Sequence, residues 1–186
     1  MKFRWRSGCL PGADAGVVLP HTFSVVPVAG CWSVTRSLPA VACMVALACA
    51  GVCMYGCAGM TGKEAYMKKT VDILGTTMTY VEAGRGTPVV YVHGNTGSSR
   101  WFSLVMDIPG VRTVAVDMPN FGDSGSLAIA DIDAYADHVA TFIRTLGLEK
   151  PVLVGHSLGG AVIMALAARN PALPRALVLV DSAAPT

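Results

Sequence analysis

Two patterns of hydrophobic and polar positions recur along the second two thirds of the chain. Residues 88–92, 113–116 and 176–180 are short, continuous apolar runs, which is typical of strands buried on both faces of a sheet. Residues 131–146 instead place apolar side chains three and four positions apart. That spacing predicts an amphipathic helix, which Gly147 ends.

The other periodic segments complete an alternation of strands and helices. Residues 70–74 and 76–82 are rich in β-forming residues on either side of Gly75, which predicts a hairpin. Residues 98–106 predict a helix that Pro109-Gly110 ends. A strand at 152–154 and a helix at 157–169 are predicted before the last strand, at 176–180. Such an alternation predicts an α/β fold, with a mostly parallel sheet and helices on both faces.

A run without charge separates this domain, residues 63–186, from the start of the chain. Residues 37–62 contain no Asp, Glu, Lys or Arg, and a hydrocarbon layer is crossed by about 20 apolar residues. Preceded by Arg36, the run resembles a signal sequence, and Cys57 loosely resembles a lipoprotein processing site. Two interpretations of this run stay open: an uncleaved membrane anchor and a lipid-modified signal. Either predicts a membrane-associated or exported protein, and residues 1–36 are interpreted as a disordered leader.

Composition excludes several classes of protein. A formal net charge of +2 without a basic stripe argues against nucleic acid as a partner. All six cysteines lie in the first 57 residues and show no metal-ligand spacing with histidine. We therefore expect neither a metal site nor a disulfide scaffold. Lys68 and Lys69 suit a solvated, membrane-proximal face.

Three predicted strands end in distinctive loops. These are residues 93–99, residues 117–125 and the segment Gly155-His156-Ser157-Leu158-Gly159. In an open parallel sheet, ligands bind beyond the carboxyl ends of the strands. The third loop is a G-x-S-x-G motif between a strand and a helix, so its turn must be tight. We expect a strained backbone at Ser157 that holds the hydroxyl out at the end of the sheet.

Together the His-Gly loop, the D-x-P-x-x-G-x-S segment and GHSLGG resemble the α/β-hydrolase family, from about residue 70 to residue 186. The resemblance implies that Ser157 attacks the acyl carbonyl of a small-molecule ester or related substrate, without a cofactor. It also implies that the oxyanion is bound by two backbone N–H groups, those of Leu158 and Asn95.

The resemblance assigns other roles to the nearby histidines. His93 and Gly94 would support the oxyanion loop, and His156 would be a packing residue. His138 falls on the polar face of its helix, where we expect it to be solvated. None of these suits a general base, and the family's catalytic histidine follows the last strand of the sheet, beyond Thr186.

The sequence also offers a candidate catalytic acid and roles for three further residues. Asp181 follows a strand after which some family members carry the acid, although it also suits a structural turn. Asp117 and Asp123 are expected to fix their loop by local hydrogen bonds. Trp101 is interpreted as a core residue rather than a substrate contact.

Several alternatives stay open at this point. The loop HGN followed by TGSS also resembles haloalkane dehalogenases, but these use an aspartate nucleophile where this chain has Ser157. A cofactor-free perhydrolase or haloperoxidase on the same triad is the runner-up, and a non-catalytic binding module is another class. The resemblance implies the N-terminal part of a hydrolase core that lacks the cap and the last strands. We expect residues 176–180 to form an exposed sheet edge, and the isolated chain to be poorly soluble and inactive.

Overall fold

The computed structural model describes residues 66–129 and 131–183, together with the backbone of residues 23–27. Seven strands form one sheet in the order β1-β7-β6-β4-β5-β3-β2. The strands are β1 (Phe23–Pro27), β2 (Met67–Ile73), β3 (Thr76–Gly84), β4 (Thr87–Val92), β5 (Val111–Val116), β6 (Val152–His156) and β7 (Ala176–Val180). The helices are a 3-10 helix at Ser99–Phe102, α1 (Ile132–Thr145) and α2 (Leu158–Arg169).

The centre of the sheet is parallel, as the sequence predicts. Strands β5, β4, β6 and β7 run in one direction, while β2 and β3 form an antiparallel hairpin at one edge. Leu74 and Gly75 connect that hairpin with φ of 45° and 85°. Positive φ at both central residues is the geometry of a two-residue type I′ turn, which matches the twist of the strands.

Alternate residues of each strand divide the core into two layers. One layer takes in Val90 and Val92 of β4 and is covered by α1 and α2, through residues such as Phe142 and Ile163. The other contains Tyr91 and its neighbours, with residues 102–108 packed on it. The period of two along each strand therefore sorts the apolar side chains between the two faces.

The helix predicted at residues 98–106 is wrong beyond its first turn. After the 3-10 helix, the carbonyl groups of residues 103, 105 and 106 accept hydrogen bonds from side chains of other elements. The donors are Tyr66 to Ser103, Tyr91 to Val105 and Thr113 to Met106. The backbone N–H groups of residues 101, 103 and 105 bond carbonyls three positions back, so the segment forms a series of tight turns instead of an α-helix. Trp101 is 51% exposed, so its interpretation as a core residue is also wrong.

The edge next to β7 differs from the expectation. β1 pairs antiparallel with β7 along its whole length, from Phe23 opposite Val180 to Pro27 opposite Ala176. Residues 176–180 are therefore not an exposed edge. A strand also lies inside the segment interpreted as a disordered leader, whose other residues fall outside the described part of the chain.

The membrane prediction falls outside the described residues. Residues 37–62 and all six cysteines lie in the part that the structure does not describe. Within residues 66–129 and 131–183, no helix has the length and apolarity needed to cross a bilayer.

Candidate active site

Ser157 occupies the junction between β6 and α2. Its backbone has φ 50° and ψ −115°, and it stands at the N-cap of α2 without a side-chain capping bond. A non-glycine residue in such a region costs about 1–3 kcal/mol and persists only where the surroundings enforce it. The side chain is half-buried, and its hydroxyl has no hydrogen-bond partner among the described residues. The strained turn predicted from the sequence is therefore present.

Glycines allow this turn to pack closely. A β-carbon on Gly155 would lie 2.5 Å from the carbonyl oxygen of Gly159. One on Gly94 would lie 3.1 Å from the Ser157 β-carbon and 2.9 Å from the His156 Nδ1. The loop after β4 thus lies directly against the serine, at a distance that only glycine permits.

The segment after β7 also borders the serine. The Ser157 N–H donates to the Val180 carbonyl at 3.1 Å, and the Ser157 carbonyl accepts from the Ala183 N–H at 3.0 Å. His156 and Val180 are paired in register, so Asp181 follows in the position next to Ser157. Asp181 is exposed and has φ 43°.

Two backbone regions beside Ser157 present N–H groups. Leu158 is the first residue of α2, so its N–H has no acceptor within the helix. Its position also gives that N–H the partial positive charge of a helix N-terminus. Asn95 follows Gly94 and is exposed, and its side-chain oxygen accepts from the Thr96 N–H at 3.1 Å. The Asn95 side chain is thus held by its own loop.

His93 is buried beneath that loop as a neutral imidazole. Its Nε2 accepts a hydrogen bond from the Met118 N–H at 3.1 Å, and its Nδ1 lies 2.8 Å from the Gly94 carbonyl oxygen. Since Nε2 is an acceptor, Nδ1 carries the proton and donates it to Gly94. Burial is the main cause that lowers the pKa of His93, outweighing the opposing effects of the Gly94 carbonyl and Asp117. His93 therefore braces the loop.

Because the pKa of His93 is lowered in the fold, the protein should lose stability in mild acid. The unfolded chain binds a proton on this histidine below about pH 6.5, while the folded chain resists it. The free energy of unfolding should then fall as pH drops from 7 towards 5, by up to about 1.4 kcal/mol per pH unit. Urea unfolding at several pH values measures this slope. His93→Gln should flatten it, and an unchanged slope would contradict the assignment.

Asp117 organises the loop after β5. Its side chain is 1% exposed and accepts from the Ser99 N–H at 2.5 Å and the Asp123 N–H at 2.9 Å. A β-carbon on Gly122 would collide with this carboxylate. The prediction that Asp117 fixes its loop by local hydrogen bonds is confirmed, and these bonds join the loops after β4 and β5.

Asp117→Ala should be strongly destabilising. It leaves two backbone N–H groups without their acceptor, at about 1–3 kcal/mol for each group that stays buried. Asp117→Asn is the matched control, since its amide oxygen still serves one donor, and it should cost less. Urea denaturation of both variants measures the difference. Equal losses would show that the hydrogen bonds are not the cause.

The remaining histidines are placed differently. His156 packs edge-to-face on Trp101 with ring centroids 5.5 Å apart, consistent with the packing role expected of it. His138 is 6% exposed, so the prediction of a solvated side chain is wrong. Its Nδ1 bonds the Ala134 carbonyl at 2.8 Å, and its Nε2 is buried without a partner. The packing around α1 therefore encloses a position that the helical pattern alone assigned to solvent.

Ion pairs lie outside this site. Lys68 donates to Asp123 at 2.8 Å, and this hydrogen bond is the first cause that lowers the pKa of that carboxyl. Glu82 accepts from Lys69 at 2.7 Å and Arg112 at 2.5 Å. Burial opposes ionisation of Glu82, but these two bonds outweigh it and lower its pKa. The Asp123 carboxylate bonds Lys68 and Arg100, which lie outside its loop, so the expectation that this side chain fixes the loop by local hydrogen bonds is wrong. Both lysines have acidic partners.

One cleft in the described part of the chain is at the other end of the sheet from Ser157. It encloses about 830 Å³ and is lined by Met67, Glu82, Asp107, Gly110 and Arg112, among others. These residues lie at or near the amino ends of β4 and β5, whereas Ser157 follows the carboxyl end of β6. The cleft and the strained serine are therefore separate features.

Comparisons with known proteins agree with this geometry. A family model described as alpha/beta hydrolase fold matches residues 87–186. The chain is similar to a 2-(acetamidomethylene)succinate hydrolase of Mesorhizobium japonicum, with 35% identity over 121 residues, 63% of this chain and 44% of the relative. It is also similar to a haloalkane dehalogenase of the same species, with 37% identity over 111 residues, 56% of this chain and 35% of the relative.

A solved structure is also similar to this chain. The structure of a membrane phospholipase A, described as a bacterial virulence factor, matches with a TM-score of 0.60 and 28% identity. The match covers 63% of this chain and 40% of that one. The chain thus spans less than half the length of these relatives.

Proposed function

The chain belongs to the α/β hydrolase fold family, and from that premise we propose that Ser157 is the nucleophile for hydrolysis of a carboxylic ester or related acyl bond. The observation that carries the proposal is the strained turn at Ser157, whose hydroxyl is half-buried and free of hydrogen bonds among the described residues. Backbone strain that the surroundings enforce on a non-glycine residue is characteristic of functional sites.

The proposed reaction is an acyl transfer in two steps. Ser157 Oγ attacks the carbonyl carbon, and its proton passes through a general base to the leaving alcohol as the C–O bond breaks. Water then hydrolyses the acyl-serine to release the acid. The N–H groups of Leu158 and Asn95 would stabilise the negatively charged oxygen, and the loss of one such donor typically costs about 2.7–4 kcal/mol.

The general base is not among the described histidines. His93 is buried with both ring nitrogens engaged, and His138 lies on α1 with one nitrogen bonded to its own helix. His156 packs on Trp101 rather than on the serine hydroxyl. In the family the histidine follows the last strand. Asp181, next to Ser157 in the register, is the candidate acid.

The identity of the nucleophile favours an acyl substrate over a haloalkane. The chain is similar to a haloalkane dehalogenase, and those enzymes use an aspartate where this chain has Ser157. A carboxylate displaces halide and is regenerated by water attack on its ester. A serine in the same position would give a stable ether with a haloalkane, whereas with an ester it gives an acyl intermediate that water can hydrolyse.

Trapping the acyl intermediate tests the proposal. The chain is incubated with p-nitrophenyl acetate, and acetylated peptides are identified by mass spectrometry. We expect acetyl that builds up slowly on Ser157 and persists, because p-nitrophenolate leaves without being protonated, whereas no described histidine is placed to activate the deacylating water. Ser157→Ala should lose this adduct, and Ser182→Ala should keep it. A binding module on the same fold would leave Ser157 unmodified.

A further inference from the structure

Two large apolar side chains are exposed on the segment that follows the loop after β4. Trp101 is 51% exposed, and Leu104 is 65% exposed. The segment consists of turns in which each N–H bonds the carbonyl three positions back, and side chains three positions apart lie above one another in such turns. Trp101 and Leu104 therefore form one apolar strip on the outside of the segment, while Phe102 packs inward on Tyr91 of β4.

The strip begins beside the candidate nucleophile. The Trp101 ring contacts the ring of His156, with centroids 5.5 Å apart and an interplanar angle of 62°. His156 directly precedes Ser157, and both residues border Gly94. A β-carbon on Gly94 would lie 2.9 Å from the His156 Nδ1 and 3.1 Å from the Ser157 β-carbon. One residue thus links the Trp101 ring to the serine, and half of the surface of Trp101 is open to solvent.

Other side chains around Ser157 have a different character. Asn95 and Asp181 are exposed and polar. The Leu158 side chain packs against the core layer that α1 and α2 cover. Covering a carboxylate with hydrocarbon is costly, whereas covering an exposed aromatic ring is favourable. An apolar group of a substrate held at Ser157 is therefore accommodated best over Trp101.

We propose that Trp101 is a specificity-determining residue, on which an alkyl chain of the ester packs while its carbonyl lies at Ser157. Leu104 extends the contact along the same strip. The inference rests on the proposed function, since it takes Ser157 as the point from which the chain extends. It names the substrate class as esters that carry an alkyl chain, rather than acetyl or charged esters.

Two fluorophosphonates that differ only in the alkyl group on phosphorus, ethyl or decyl, test the contact in the full-length chain. With imidazole present, the decyl probe should label Ser157 about tenfold faster, since its chain covers part of the exposed ring. Trp101→Ala should bring the ratio of the two labelling rates close to one, and Trp101→Phe should keep most of it. A purely structural role of Trp101 would change both rates alike and leave their ratio unchanged.

Leu74→Ala is the matched control for removing exposed apolar surface. Leu74 is 54% exposed and connects β2 to β3. Four strand intervals separate β2 from β6, which is roughly 19 Å at about 4.8 Å each. This variant should keep the ratio of the unmodified chain. If Trp101→Ala also keeps that ratio, the proposal is wrong.

Fluorine NMR separates this inference from the proposed function. Ser157→Ala protein that contains 5-fluorotryptophan is titrated with ethylphosphonate and with decylphosphonate below its critical micelle concentration. The Trp101 resonance, assigned by its loss in Trp101→Phe, should shift with the decyl compound only. The absence of that shift would overturn the inference even if Ser157 is labelled. A shift together with an unlabelled Ser157 in the unmodified chain would support binding at Trp101 and contradict the nucleophile instead.

Phosphatidylcholine vesicles distinguish a substrate contact from a surface that binds lipid layers. They are added to the same fluorinated protein in place of the phosphonates. A Trp101 resonance that responds to the vesicles and not to decylphosphonate would overturn the proposal. A response to decylphosphonate in the absence of vesicles supports the substrate contact.

Discussion

Ser157→Ala is expected to remove all imidazole-dependent ester hydrolysis from the chain. The described histidines are not placed to act as a base, so the unmodified chain alone should turn over p-nitrophenyl acetate no faster than buffer. Free imidazole, which is small enough to reach the partly exposed Ser157, should supply a proton acceptor. The increase in the hydrolysis rate that imidazole causes should depend on Ser157. It should be at least 100-fold smaller in Ser157→Ala, since nucleophile and base act as a unit.

Imidazole also hydrolyses activated esters in solution, so every rate is compared with the Ser157→Ala protein at the same imidazole concentration. Ser182→Ala is the matched variant, because Ser182 lies in the loop that borders Ser157 and should keep the full imidazole response. If Ser157→Ala responds to imidazole as strongly as the unmodified chain does, the serine is not the nucleophile. Circular dichroism confirms that both variants remain folded.

Gly159→Ala is expected to cause a large loss of stability. A β-carbon there would collide with the carbonyl oxygen of Val92 and lie 2.5 Å from that of His93. Both contacts are backbone atoms in the centre of the sheet, so neither can move aside easily. We expect a cost of roughly 3 kcal/mol or more, where alanine for glycine in an open helix would stabilise. Urea denaturation measures the difference.

Gly147→Ala is the control for the steric cause. Gly147 has φ 61° and nothing within 4 Å of a β-carbon, so an alanine there meets only backbone strain. Its expected cost is about 1–2 kcal/mol. If both substitutions lower the free energy of unfolding equally, the close contact between α2 and the end of β4 does not constrain the turn at Ser157.

The sequence predicts the sheet and the elbow well because both depend on local patterns. Each of the apolar runs at β4, β5, β6 and β7 predicts a buried strand by itself. The motif Gly155-His156-Ser157-Leu158-Gly159 likewise predicts a strand-to-helix turn without reference to distant residues. The observed φ and ψ of Ser157 confirm that expectation.

The features that sequence analysis missed all depend on distant contacts. The helix predicted at 98–106 is replaced by tight turns, whose carbonyl groups at 103, 105 and 106 bond the distant side chains of Tyr66, Tyr91 and Thr113. His138 is buried by packing around α1 that the helical pattern alone does not show. The strand at 23–27 has no periodic signal beyond five residues, and its partner β7 lies about 150 residues away in sequence. Only the fold brings these groups together.

The most direct test of the elbow compares fluorophosphonate labelling of Ser157 in the folded and the urea-unfolded chain, with imidazole present in both. Adducts at each serine are quantified by mass spectrometry. If the fold activates this hydroxyl, Ser157 in the native protein should react at least 100-fold faster than in the unfolded chain, while Ser182 changes little. Equal rates for Ser157 in both states would contradict the assignment of this turn as a nucleophile.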